Sequence, residues 1–132
     1  MIIGISPDRL VSVWHVAAPL LKKAFDRVDY PFSMDEILGK VEACDMQLWM
    51  THNLQMAWLT RILVFPRYKV LEVVAAGGKG IDDWLAASDA LFTAFASHHG
   101  CKYVEVQGRP GWGKVGQPLG YAPVWTTLRK EG

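Results

Sequence analysis

Cysteine is scarce: only Cys44 and Cys101 occur in 132 residues. Two cysteines cannot build a disulfide framework, and no Cys/His spacing suggests zinc, so reduced thiols in a cytoplasmic protein are the expectation. No apolar run approaches the roughly 20 residues that a membrane-spanning helix needs. The start of the chain, MIIGISPDR, has neither a basic n-region nor a long h-region, so a secretory signal is not expected. An excess of one charge is also lacking. The net charge is +1, and the basic residues (Lys22, Lys23, Arg61, Arg67, Lys69, Arg129, Lys130) form no stripe. Neither nucleic acid nor a membrane is therefore an expected partner. Internal repeats, low-complexity tracts and linkers are absent as well.

What remains is the composition of an ordinary folded protein, 51% hydrophobic and 20% charged. The length suits one domain over residues 1–132, with enough chain to bury a core.

Along the chain, residues 1–5 predict a first strand. Ser6-Pro7 reads as N-cap and first helical position, and Leu10, Val13, Trp14, Ala17, Leu20, Leu21, Ala24, Phe25 and Val28 then recur at helical spacing. This predicts a helix over about 7–28, ended by Asp29-Tyr30-Pro31. Ser33 and Glu36 form a capping box that opens a short helix to about residue 43. Three strand-like stretches follow, 46–51, 56–65 and 70–75, joined by turns short enough to force an antiparallel meander. A helix over 81–99, a strand over 102–107, a short helix over 114–119 capped by Gly120 and a last strand over 121–128 complete the order β-α-α-β-β-β-α-β-α-β. That is an α+β, mixed-sheet arrangement with helices on both faces.

The organising stretch is the strand over 70–75, the glycine-rich turn Gly77-Gly78-Lys79-Gly80 and the helix that follows. Such a unit can bind an anion, because glycines permit close approach of backbone and the helix start offers free N–H groups with the positive dipole end. Asp82 and Asp83 work against this. An aspartate in the first turn satisfies the helix start itself, at about 0.5–1 kcal/mol each, and repels phosphate. With Lys79 the local balance of charge is −1.

The element order, the Gly-rich turn after the fourth strand and the tail YVEVQGRPGWGKVGQPLGYAPVWTTLRKE together resemble the GNAT family of N-acetyltransferases. The Gly108-Arg109, Gly111-Trp112 and Gly120-Tyr121 pairs and the clipped LVFPRYKVLEVV hairpin are most similar to small bacteriophage and prophage members. The resemblance covers roughly residues 46–129. It implies a GNAT-like fold with a mostly antiparallel central sheet, and acetyl-CoA as cofactor. The backbone of Val73, Val74 and Ala75 would meet the pantetheine arm, and Gly78, Lys79, Gly80 and Ile81 the pyrophosphate. Arg109 would reach a CoA phosphate or a partner's carboxylate, or else cap carbonyls. Ala75 stands where the family turn begins with Gln or Arg.

Acyl transfer to an amine needs a base and an acid. Glu72 is the base candidate, since it is a carboxylate in an otherwise apolar strand. Strict alternation puts Leu71, Val73 and Ala75 on one face and Val70, Glu72 and Val74 on the other. The competing reading pairs Glu72 with Arg61 or Arg67. Glu105 is a similar case on the next strand. The tyrosine acid that the family often carries has no counterpart in the short helix after the fifth strand, and Tyr121 and Tyr103 read as core. Trp14, Trp49, Trp58 and Trp84 could share one aromatic core or leave an aromatic patch for a partner. Two functions follow from the resemblance. One is an acetyl-CoA-dependent N-acyltransferase acting on a small-molecule or protein amine. The other is a catalytically inactive GNAT-fold protein of a phage or prophage, acting by protein contacts in the virion or on a host factor. A homodimer is compatible with either.

Overall fold

Five strands lie side by side in chain order: β1 (Ile2–Ile5), β2 (Gln47–Thr51), β3 (Met56–Val64), β4 (Lys69–Gly78) and β5 (Tyr103–Val106). The first three pairings are antiparallel and the last is parallel. Short turns can only reverse the chain, whereas helix α3 (Ile81–His98) carries it back across the sheet before β5 begins. The computed structural model describes residues 1–108 and 112–132.

Helix α1 (Pro7–Phe25) buries Leu10, Val13, Ala17, Leu21 and Phe25, one stripe at three- and four-residue spacing. Helix α2 (Met34–Glu42) adds Ile37 and Val41. Together they cover the face of the sheet that carries Leu48, Met50, Ala57 and Leu59. The other face, with Trp49, Trp58, Leu71 and Val73, packs under Phe92 and Ala96 of α3. Helices therefore lie on both faces, as expected. Helix α4 (Trp112–Gly116) and a 3-10 turn (Gln117–Leu119) follow β5, ended by Gly120 in the left-handed conformation.

The capping box forms in full. The Glu36 amide donates to Ser33 Oγ at 3.2 Å and the Ser33 amide donates to Glu36 Oε1 at 3.0 Å. The first helix stops at Phe25, three residues short of the expected end, because the chain tightens into a turn with the Val28 amide on the Phe25 carbonyl. The tryptophans do not share one core. Trp49, Trp58 and Trp84 belong to the α3 face, with Trp49 edge-on to Phe92 and Phe95 at 5.4 and 5.1 Å. Trp14 packs on the opposite face. Tyr103, expected in the core, is 45% exposed on β5.

Two corrections concern the sheet. No strand forms over 121–128: residues 121–132 carry no regular structure, and β5 is the last strand of the sheet. The sequence pattern supplies strand propensity there, but propensity without a hydrogen-bonded neighbour does not make a strand. In addition, the register between β3 and β4 slips, with Leu59 opposite Ala75 but Thr60 opposite Val73, leaving Val74 as an extra residue. This β-bulge breaks the alternation. Val74 and Ala75 both pack on the α1 side and Ala76 on the α3 side, so Ala75 does not share a face with Leu71 and Val73.

Candidate active site

The bulge falls where the pairing of β4 with β5 ends. Val70 to Val73 pair with Tyr103 to Val106, and the Gln107 amide closes the ladder on the Val73 carbonyl at 3.1 Å. Beyond Val73, β4 runs five residues further to Gly78, paired among the described residues only with β3. Among the described residues β4 thus reaches past the end of β5, and the step so formed, with the backbone of Val74–Gly78 as its inner wall, is the notch. Bulges bend the strand that carries them, and this one falls at the residue after the last β4–β5 pair.

The two glycines that close β4 serve packing. A Cβ on Gly77 would collide with the Leu20 carbonyl of α1, and one on Gly78 (φ +127°) with the Gln55 carbonyl. The expected turn begins later than the sequence pattern places it, since Gly78 closes β4 opposite Met56. The Lys79 amide donates to the Gln55 carbonyl at 3.0 Å and is likewise used within the fold. The turn proper is Gly80, in the left-handed region (φ +84°), which is also the N-cap of α3. It has no side chain to cap the helix; the Asp83 and Trp84 amides donate to the Gly80 carbonyl at 3.0 and 3.3 Å, which leaves the Ile81 and Asp82 amides without an acceptor among the described residues. Asp82 and Asp83 occupy that first turn, and Ile81 packs into the α3-side core.

Glu72 sits upstream of the notch with its side chain on the opposite side of the strand from Leu71 and Val73. It is 5% exposed, and its Oε1 accepts from Arg61 Nε at 2.8 Å across the β3–β4 ladder, where the two residues are direct partners. Of the two arginines the sequence offered, Arg61 is the partner. Glu105 is the register partner of Glu72 on β5, so two carboxylate-bearing residues lie side by side. The pairing of Glu72 with Arg61 leaves Oε2 as the oxygen outside the ion pair.

Tyr30 joins this cluster, although its only mark in the sequence is the helix end at Asp29-Tyr30-Pro31. Its hydroxyl is buried and makes no hydrogen bond among the described residues. Burial raises its pKa, the Arg61 charge lowers it and the Glu72 charge raises it, so the hydroxyl lies in the field of that ion pair. Its ring packs on Phe25 and Phe32 at 4.3 and 5.8 Å. The same residues line a cleft of about 520 Å³ between the end of α1 and the start of α2, with Lys22, Asp26 and Ser33 at its walls.

The remaining sequence candidates fall elsewhere. The Tyr121 hydroxyl donates to Asp89 Oδ1 at 2.7 Å, and burial followed by that bond and charge raises its pKa above the ordinary tyrosine value. It ties the chain after Gly120 to α3. Trp112 stacks on the backbone of Gly108, where a Cβ would strike its ring. Arg109 lies outside the described residues.

No protein-family model matches the sequence, and no curated relative is found for it. Solved structures do match over the whole chain. A ribosomal-protein-alanine N-acetyltransferase from Brucella melitensis superposes with a TM-score of 0.70 at 15% identity, covering 100% of this chain and 99% of the other. A probable acetyltransferase gives a TM-score of 0.69 at 14% identity, with coverage of 100% and 99%. A predicted acetyltransferase from Clostridium acetobutylicum, solved with acetyl-CoA, gives 0.67 at 10% identity, with coverage of 98% and 95%. The chain has the GNAT fold. At these identities the likeness fixes architecture, and what the site does must be argued from its own residues.

Proposed function

We propose that this protein is an acyl-CoA-dependent N-acyltransferase. The observation that supports this most is the end of the β4–β5 ladder after Val73, with five residues of β4 left unpaired on that side among the described residues and a helix start without a side-chain cap at their far end. An extended arm bearing amide groups can pair with such a strand edge, as an added strand would. Acetyl-CoA, when bound, supplies the activated acyl group. The Val74 and Ala75 backbone would hold its pantetheine, and Gly80, Ile81 and the Lys79 side chain would face its phosphates. The fit is good along the strand. It is weaker at the phosphates, where Asp82 and Asp83 outweigh Lys79 and the Lys79 amide is already engaged.

In this reading Glu72 receives the proton of the acceptor ammonium through Oε2, while Arg61 fixes the carboxylate. Tyr30, kept protonated by burial, supplies a hydroxyl on the same side. The cleft bounded by Lys22, Tyr30, Phe32 and Ser33 is where an amine would enter.

A second reading, a GNAT-fold protein that has lost transfer and acts through protein contacts, is favoured by one observation: the acidic first turn of α3. Release of CoA thiol from acetyl-CoA in the presence of peptide amino termini, lysine side chains and small polyamines separates the two. Turnover with at least one class, reduced about 10²–10⁴-fold in Glu72→Gln, is the expected result. Absence of turnover across all three classes would replace the first reading by the second.

A further inference from the structure

We infer that the end of the sheet remote from the notch is a docking site for an acidic peptide segment of a partner protein. The β3–β4 hairpin turns there through Phe65-Pro66-Arg67-Tyr68, and α3 ends beside it at His98. The two meet where the Lys102 amide donates to the Lys69 carbonyl at 2.9 Å. A Cβ on Gly100 would lie 3.8 Å from Lys69 Nζ, so that ammonium rests against the last turn of α3.

Positive charge gathers here. No aspartate or glutamate occurs between Asp45 and Glu72 or between Asp89 and Glu105, the two stretches that build this end. Arg67, Lys69 and Lys102 fall within them, and none of the three has an ion-pair partner among the described residues. An aromatic strip runs between these cations. Phe65 meets Tyr68 at 6.1 Å, Tyr68 meets Tyr103 at 5.1 Å, and Lys102 Nζ lies over both tyrosine rings at 5.8 and 5.4 Å. Val64, Phe65 and Tyr103 are 74%, 48% and 45% exposed, which leaves an apolar surface ringed by charge of one sign. Lys102 also stands at the wall of a cleft of about 510 Å³ between the end of α3 and the start of β5, with Ala96, Ser97, Cys101 and Val104.

Charge complementarity selects the occupant. Three cations around a strip of rings suit the carboxylates of a short peptide whose apolar side chains lie on the rings, one of them entering the cleft. Lys102, already held on its rings, loses little freedom on taking a carboxylate. A nucleic acid fits less well, since strong backbone binding rests on the order of six phosphate contacts or more. A bilayer anchor needs a far larger apolar face than Val64 and Phe65 offer. Roughly 16 Å of β4 separates Lys69 from Val74, so this site stands apart from the notch and does not depend on acyl transfer.

The test is an NMR titration of the isotope-labelled full chain with a glutamate-rich peptide containing interspersed leucines, beside its glutamine-for-glutamate counterpart. The expected result is saturable binding of the acidic peptide, with amide shifts confined to residues 64–69 and 97–104 and weakening as salt rises. The glutamine counterpart should not bind. Arg67→Glu with Lys102→Glu, both at exposed positions, should keep the wild-type melting temperature. That variant should bind the acidic peptide about tenfold more weakly, since each surface ion pair is worth up to several-fold. The milder Arg67→Gln with Lys102→Gln should weaken binding in the same direction. Absence of binding at millimolar peptide overturns the proposal, as do shifts centred elsewhere, equal binding of the glutamine counterpart or an affinity unchanged in both variants. So does tighter binding of oligothymidylate or of phosphatidylserine vesicles to this face, which would assign it to a different partner.

Discussion

Arg61 and Glu72 form an ion pair across the β3–β4 ladder whose contribution to stability can be measured. Glu72→Gln leaves the Arg61 guanidinium, itself only 27% exposed, without its counter-charge. Removing one partner of a buried pair costs about 3–5 kcal/mol, and the partial exposure of Arg61 reduces the expected loss to about 1–3 kcal/mol, read from urea denaturation. An unchanged midpoint would show that the pair contributes nothing. Gly77 tests a different residue-scale claim. In Gly77→Ala the added methyl meets the Leu20 carbonyl where α1 crosses β4, and the strain should cost about 3 kcal/mol. A loss below about 0.5 kcal/mol, the range of an ordinary surface change, would contradict the close approach. The Arg61–Glu72 partnership was legible because opposite charges stood on adjoining strand-like runs joined by a short turn. Tyr30 was not legible, because the connection between two helices has no period from which a side chain's direction can be read. The packing role of Gly77 and Gly78 was also hidden, since a glycine needed for close approach looks in sequence like one needed for a phosphate.

At the scale of elements, α2 depends on its capping box. Ser33→Ala should destabilise the protein by about 1 kcal/mol. The Ser33 amide and hydroxyl hold the Glu36 carboxyl below its ordinary pKa of 4.5. The sign follows from that direction. The cap's contribution is complete above the ordinary value and is lost as pH falls through the lowered one. An NMR titration should find Glu36 ionising below the usual glutamate range in the wild type and less far below it in Ser33→Ala, which keeps the backbone amide and loses the hydroxyl. Tyr121 behaves in the opposite sense. Its pKa is raised, so its contribution is complete below the ordinary value of 10.0 and drains away as pH rises beyond it. Tyr121→Phe should flatten that alkaline loss, measured as melting temperature against pH. The capping box could be read directly, because both of its bonds span three residues of local sequence. The β4 bulge and the unpaired segment 121–128 could not. Each depends on which strand lies alongside, and strand propensity is silent about neighbours.

For the whole molecule, the order of elements and the switch from two-residue to 3.6-residue periodicity were enough to place the fold. The solved acetyltransferases that superpose on the full chain agree with that placement. The central claim is narrower: that the notch between β4 and β5 receives an acyl-CoA. Thermal unfolding with and without millimolar acetyl-CoA tests it most directly, alongside Lys79→Glu, a change at an exposed side chain. At about 100 times its dissociation constant a ligand adds roughly 2.7 kcal/mol, which should raise the melting temperature by several degrees. The account predicts that rise in the wild type and a smaller one in Lys79→Glu. No rise at any concentration of acetyl-CoA would contradict it and leave the notch as a feature of the fold alone.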